Sequence, residues 1–339
     1  MSNKINVAVV GASGYTGLEL LKILINHPIF TITYVANSEG NTTVSALHPS
    51  LKGVFDMEVK KANPIDIKAV SELVFLALPH QASMGFAKEL LALGGLKVVD
   101  LSADYRLELD TYEKHYCPHE DKENLPNAVY GMPEFYRNEL KSANLVANPG
   151  CYPTASFLAL APFLPYIKEG ISVFIDAKSG ISGAGKKLTD VTSFVNISEN
   201  MTAYNPFKHR HTPEIVEKAK LIGGKNLKIN FVPHLIPVTR GMLVSVYVTL
   251  ESDIDAKSVL KEFYKNEEFV RICDEPVNIK NTSGTNFCDI FVAQNGKDLF
   301  INSSIDNLLK GASSAAVVNA NLMCGVEENC GIPKIAYVP

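Results

Sequence analysis

This chain of 339 residues has no tryptophan, only six cysteines and no long run of one charge sign. None of its apolar stretches approaches the roughly 18 consecutive residues that suggest a membrane span. Cys117, Cys151, Cys273, Cys288, Cys324 and Cys330 are scattered, with no CxxC pair and no clustered histidine spacing that suggests zinc, so no metal site is expected. Such usage fits reduced thiols in a cytoplasm. A formal net charge of −4 leaves no basic footprint for nucleic acid or an anionic membrane. Met1 to Lys4 run directly into an apolar strand, without the charged start, apolar core and small-residue cleavage site of a secretory leader. Internal repeats and low-complexity tracts are missing as well.

What is present is the composition of a globular protein, 46% hydrophobic with glycine and proline at ordinary levels, in a chain long enough for two domains. In the first half, β-branched runs at Ile5–Val10, Ile32–Ala36, Leu73–Leu78 and Lys97–Leu101 read as strands, and Leu18–Ile25 and Ala82–Leu93 as helices. Strands alternating with helices predict a parallel, doubly wound sheet. From about Phe157 the strand-like runs lengthen, at Ser172–Ala177, Lys228–Val232, Leu243–Leu250, Val277–Lys280 and Asp289–Ala293, with helices expected at Pro213–Leu221 and Ala256–Tyr264. That pattern predicts an α+β domain with a mixed or largely antiparallel sheet. Asn307–Met323 reads as a helix returning to the first domain, so the expected division is 1–150 with 307–339 against 151–306.

Gly11-Ala12-Ser13-Gly14-Tyr15-Thr16-Gly17 stands between the first strand and the first helix, where residues without Cβ let the main chain approach a pyrophosphate seated on the helix N-terminus. Its GxxGxxG spacing departs from the usual GxGxxG. Enzymes that use NAD usually end the second strand with Asp or Glu to hold the ribose 2′-hydroxyl, whereas this chain has Ala36-Asn37-Ser38. Ser38 would not repel a 2′-phosphate, which favours NADP(H), although Glu39 is adjacent and no arginine follows. Lys52 is one candidate to replace that missing base.

Asn148-Pro149-Gly150-Cys151-Tyr152-Pro153 puts a cysteine where a turn becomes a helix. The helix's unpaired N–H groups and positive dipole end favour thiolate there and can hold the oxygen of an attacked carbonyl, making Cys151 a candidate nucleophile. His209-Arg210-His211-Thr212-Pro213-Glu214 offers two imidazoles ahead of a helix that Thr212 can cap, with Glu214 able to orient one of them. The spacing does not choose between His209 and His211. Ser179-Gly180-Ile181-Ser182-Gly183-Ala184-Gly185-Lys186 is a flexible loop whose backbone and lysine can receive an anion.

Taken with Ala77-Leu78-Pro79-His80, Tyr130 to Glu134 and Asp306 to Ser313, these motifs resemble, from end to end, the N-acetyl-γ-glutamyl-phosphate reductases of arginine biosynthesis. A more distant resemblance runs to aspartate-semialdehyde dehydrogenase, from which the His-x-His-Thr-Pro-Glu segment separates this chain. Relatives acting on N-acetyl-aminoadipyl phosphate share nearly every motif, and a dinucleotide-binding regulator that has lost turnover is the reading of another class. The resemblance implies a Rossmann-type domain, NADP(H), and a thioester formed on Cys151 and reduced to an aldehyde. His211 would handle protons, with His209 as the alternative and Glu214 beside them. It further implies that Gly11, Ser13, Gly14, Tyr15, Thr16, Gly17, Ser38, Pro79, His80, Ser182, Gly183 and Asn307 face the cofactor. Arg106, Asn148 and Lys186 would meet substrate, and dimers or tetramers would form through the second domain's sheet.

Overall fold

The computed structural model describes residues 4–337, so the leader reading at Met1–Lys4 lies outside them apart from Lys4. The chain divides into two compact units, one running to Pro149 and taking in Ala312–Pro333, the other comprising Gly150–Gly311 and the end of the chain from Lys334. Gly150, residues 307–311 and residues 334–337 thus fall in the second unit instead of the first.

The first unit is built on eight strands: β1 Ile5–Val10, β2 Phe30–Asn37, β3 Thr42–Thr43, β4 Glu58–Lys61, β5 Leu73–Leu76, β6 Lys97–Asp100, β7 Val129–Tyr130 and β8 Leu145–Ala147. They lie in the order β3-β4-β2-β1-β5-β6-β8-β7 and all pair in parallel except β3 with β4. Val7 to Val10 are completely buried, as expected of a central parallel strand covered on both faces. The order reverses beside β1, and the glycine turn after β1 and the Ala77–His80 segment after β5 stand at that switch point, where such sheets bind ligands. One face is filled by Ala8, Val10, Tyr34, Ala36, Val74 and Leu76 together with Ile67, Met84 and Leu90 from flanking helices. On the other, the fully buried helix Ser313–Met323 is anchored by Ser313 Oγ donating to the Thr16 carbonyl and by Asn319 Nδ2 donating to the Gly131 carbonyl, both at 3.0 Å. The return expected for this helix is present, but the helix begins at Ser313. Asp306 Oδ1 accepts the Leu308 and Leu309 N–H groups and turns residues 307–311 into a loop.

The second unit holds a mixed sheet of seven strands: β9 Ser172–Gly180, β10 Thr202–Ala203, β11 Lys228–Ile236, β12 Met242–Thr249, β13 Val270–Ile272, β14 Cys288–Asn295 and β15 Asp298–Ile305. Their order is β10-β11-β9-β12-β15-β14-β13, with only β9–β11 and β13–β14 parallel. Expected strand Val277–Lys280 is replaced by one 3-10 turn, Ile279–Asn281, because the Asn278 side chain accepts the Asn281 N–H and supplies a local alternative to a ladder. Helix Cys151–Leu160, buried from Tyr152 onward, packs against the sheet, and Ser303 Oγ donates to its Ala155 carbonyl at 2.9 Å.

Candidate active site

Gly150, extended at φ −73° and ψ 154°, delivers Cys151 as the first residue of its helix, with Pro153 still in the first turn where its missing N–H costs nothing. The Gly150 carbonyl accepts both the Thr154 N–H and its hydroxyl at 2.9 Å, and the Gly150 N–H donates to Glu214 Oε1 at 3.0 Å. Glu214 is buried in the first turn of helix Thr212–Gly223, so one carboxylate joins the sulfur-bearing turn to the segment bearing both imidazoles. His211 stands at the N-cap position of that helix without a side-chain capping bond, and Thr212, expected as the cap, is instead its first residue, with its N–H donating back to the His209 carbonyl.

His209 and His211 are both buried, with ring centroids 4.9 Å apart. His209 Nδ1 accepts the His211 main-chain N–H at 3.1 Å, which leaves any ring proton on Nε2. Burial first, and the Arg210 charge second, lower its pKa from 6.5 to about 4. His209 is therefore neutral, held edge-on among Tyr152, Tyr204 and Phe231 at centroid distances of 5.4, 5.3 and 5.5 Å. Such contacts contribute roughly 0.5–1.5 kcal/mol each beyond area burial. Tyr204 donates its hydroxyl to that of Tyr152 at 3.0 Å. Burial drives the Tyr152 hydroxyl upward in pKa and Tyr204 to about 12, so both remain neutral donors.

Half-buried Cys151 opens into a cavity of about 540 Å³, also lined by Tyr152, Tyr204, His209, His211, Lys208 and Arg210. The cations on this lining are Lys208 and Arg210; Lys186, expected there, is exposed and off it. Arg210 was legible inside the histidine motif, but Lys208 carried no spacing signal. Gly183 lines the cavity, with its missing Cβ only 2.9 Å from Ser179 Oγ. Asn307 Nδ2 donates to Ser182 Oγ at 3.0 Å, while its Oδ1 accepts the Gly241 N–H at 2.7 Å. A Cβ on Gly311 would stand 2.7 Å from the Cys151 Cβ, so this glycine is what lets the Asn307–Gly311 loop pass against the cysteine.

In the first unit, Gly11 has φ +89° and a Cβ there would lie 2.2 Å from the Ala77 oxygen, while Gly17 would strike the Gly11 oxygen at 2.6 Å. Gly14 has nothing within 4.0 Å except that oxygen at the limit, leaving an open cradle at the start of helix Tyr15–Ile25. Two glycines serve packing and one serves access, which fits a bound pyrophosphate. Around it, Ser13 Oγ accepts Asn37 Nδ2 at 3.0 Å, and the carbonyl of Ala12 is held by His48 Nε2 at 2.6 Å, a partner outside every motif. Tyr15 and Ser38 are exposed, and Thr16 gives its carbonyl to Ser313. Pro79 is exposed, and His80 Nδ1 accepts the Ala103 N–H at 2.8 Å. Arg106 is buried, with Nε donating to the Asn148 carbonyl at 2.7 Å and a terminal nitrogen to the Leu101 carbonyl at 2.8 Å. The Asn148 amide is engaged at both ends, donating to the Ala312 carbonyl and accepting Asn319 Nδ2.

Residues 6–143 match the semialdehyde dehydrogenase NAD binding domain, and residues 151–307 match the semialdehyde dehydrogenase dimerisation domain. An N-acetyl-gamma-glutamyl-phosphate reductase from Sulfurovum sp. (strain NBC37-1) is 61% identical over 99% of this chain and 100% of its own length. Its counterpart from Wolinella succinogenes is 58% identical, covering 99% of both. The chain belongs to the N-acetyl-gamma-glutamyl-phosphate reductase family. It is accordingly an NADP(H)-dependent oxidoreductase of amino-acid biosynthesis, as the motifs implied. Among solved structures, aspartate semialdehyde dehydrogenase II of Vibrio cholerae complexed with ASA shares the fold, with a TM-score of 0.73 at 18% identity over 96% of this chain and 99% of that one. Among the described residues no cluster of three or more His, Cys, Asp or Glu side chains is placed to hold a metal, and no helix is long and apolar enough to cross a membrane.

Proposed function

We propose that Cys151 attacks the acyl phosphate of N-acetyl-γ-glutamyl phosphate, expelling inorganic phosphate and leaving a thioester on its sulfur. The observation that carries this reading is a half-buried cysteine at a helix N-terminus, opening into one cavity with an imidazole pair and two cations. The helix end favours the thiolate and its N–H donors hold the carbonyl oxygen as charge develops on it. His211 takes the thiol proton and returns it to sulfur when the hemithioacetal collapses to N-acetylglutamate 5-semialdehyde. His209, neutral and tied to the His211 main chain, is a positioning residue. Lys208 and Arg210 receive the phosphate and carboxylate of the substrate, the guanidinium in two-point fashion. Arg106 and Asn148 hold the main chain leading to Cys151.

NADPH, when bound, supplies the hydride that reduces the thioester. Gly11, Gly14 and the first turn after Tyr15 hold its pyrophosphate, and Ser182, Gly183 and Asn307 shape the loops on the cysteine side. The match of residues 151–307 to a dimerisation domain and the half-exposed Phe174 and Tyr247 on the second sheet support a homodimer or homotetramer. All six cysteines are thiols, which fits a reducing cytoplasm.

A phosphate-dependent assay run backward tests the substrate: N-acetylglutamate semialdehyde with NADP+ supports turnover, and aspartate semialdehyde or the one-methylene-longer homologue does so less efficiently. Preference for either competitor replaces this substrate with that one.

A further inference from the structure

Strand β2 ends without the arginine that usually receives a 2′-phosphate, yet a neighbouring strand supplies two cations at that same edge. Strand β4 runs parallel to β2 with Ala36 beside Lys60 and Asn37 beside Lys61, and the Ala62 N–H donates to the Asn37 carbonyl at 3.0 Å. Residues side by side on parallel strands project to the same face, and successive residues to opposite faces. Lys60 shares the face of Ala36 and Tyr34, with its Nζ 5.6 Å from the centre of the Tyr34 ring. Lys61 shares the face of Asn37, whose amide donates to Ser13 Oγ in the glycine turn.

The turn after β2 is shaped around this arrangement. Asn37 Oδ1 accepts the N–H groups of Glu39 and Gly40 at 2.9 and 2.6 Å, which leaves Ser38 exposed at the tip. Gly40 has φ +71°, and a Cβ there would come 2.5 Å from the Lys61 nitrogen, so the turn lies directly on the Lys61 backbone. Lys61 is exposed, and its carbonyl is fixed by the Tyr34 hydroxyl at 3.1 Å. Glu39 is the nearby charge that opposes a phosphate, and it too is exposed.

We infer that Lys61, with Ser38, recognises the 2′-phosphate of NADP(H) and sets the preference over NAD(H), replacing an arginine in β2 with a lysine delivered from β4. The inference rests on the NADP(H) use stated above. Fluorescence titration with NADPH and NADH is the test. Lys61→Gln weakens NADPH binding about tenfold or more, as loss of a charge-assisted contact should, and leaves NADH within twofold. Lys61→Arg retains the preference, and Lys60→Gln and Lys52→Gln change it less than threefold.

A second readout needs no substitution. In the unaltered protein, NADP+ shields Lys61 from acetylation by acetic anhydride and NAD+ does not, as read by mass spectrometry. Equal labelling, protection that falls on Lys52 instead, or a Lys61→Gln protein that keeps its preference overturns the inference. Equal affinity of the unaltered protein for NADPH and NADH overturns the NADP(H) assignment itself.

Discussion

The Glu214 carboxylate accepts the Gly150 N–H at 3.0 Å, so a buried acid in the first turn of the helix that follows the two histidines fixes the turn from which Cys151 emerges. Removing it leaves a buried main-chain donor without this acceptor, which costs roughly 1–3 kcal/mol. Glu214→Ala is expected to lose about that much stability in urea denaturation and to lower kcat at least tenfold. Glu214→Gln keeps an acceptor oxygen at the same reach and recovers most of the stability. Equal loss in both variants would show that the charge, and not the hydrogen bond, is what matters.

His209 makes stability depend on pH. Its folded pKa of about 4 lies below the unfolded 6.5, so between those values the unfolded chain binds a proton that the folded one refuses. Stability therefore falls as pH drops through that window, by about 2 kcal/mol between pH 7 and pH 5 from this one group. Asp100 acts in the opposite sense: burial, then the charge of Asp104, raise it to about 6, so its contribution is present at low pH and lost as pH rises through that value. Comparing wild type with His209→Gln at pH 7 and pH 5 isolates the histidine, and the variant should lose less stability on acidification. An unchanged pH dependence would contradict a neutral, buried His209.

Gly311 tests how closely the Asn307–Gly311 loop must approach the nucleophile. Its added Cβ would lie 2.7 Å from both the Cys151 Cβ and the Asn307 oxygen. Gly311→Ala should cost about 1–3 kcal/mol through overpacking and reduce kcat more than tenfold by displacing the sulfur. Full activity in the variant would mean that the loop yields without moving Cys151.

Much of this was legible in the amino-acid sequence because local chemistry and tertiary demand agree. The glycine turn, the Pro149-Gly150-Cys151 helix start and the parallel β-branched strands all stand where their residue types place them. Strand β15 was missed: the Gly296-Lys297 hairpin turn, with Gly296 at φ +57°, offered a signal, but the run Asn302-Ser303-Ser304 lacks the β-branched signature of an isolated strand. Register is what a linear reading cannot supply. Nothing in the spacing sets Lys61 beside Asn37, puts Lys208 on the Cys151 cavity, or turns Arg106 onto main-chain carbonyls. The Asn307–Met323 reading failed at its start because Asp306 captures the first N–H groups, a capping effect that apolar periodicity does not register.

The central claim is covalent chemistry on Cys151. Rapid quenching of the enzyme with N-acetyl-γ-glutamyl phosphate in the absence of NADPH, followed by mass spectrometry, should find the N-acetylglutamyl group on Cys151. Cys151→Ser should lower turnover by two orders of magnitude or more while still binding NADPH. An unmodified Cys151 at every quench time, together with near-normal turnover of Cys151→Ser, would contradict the account.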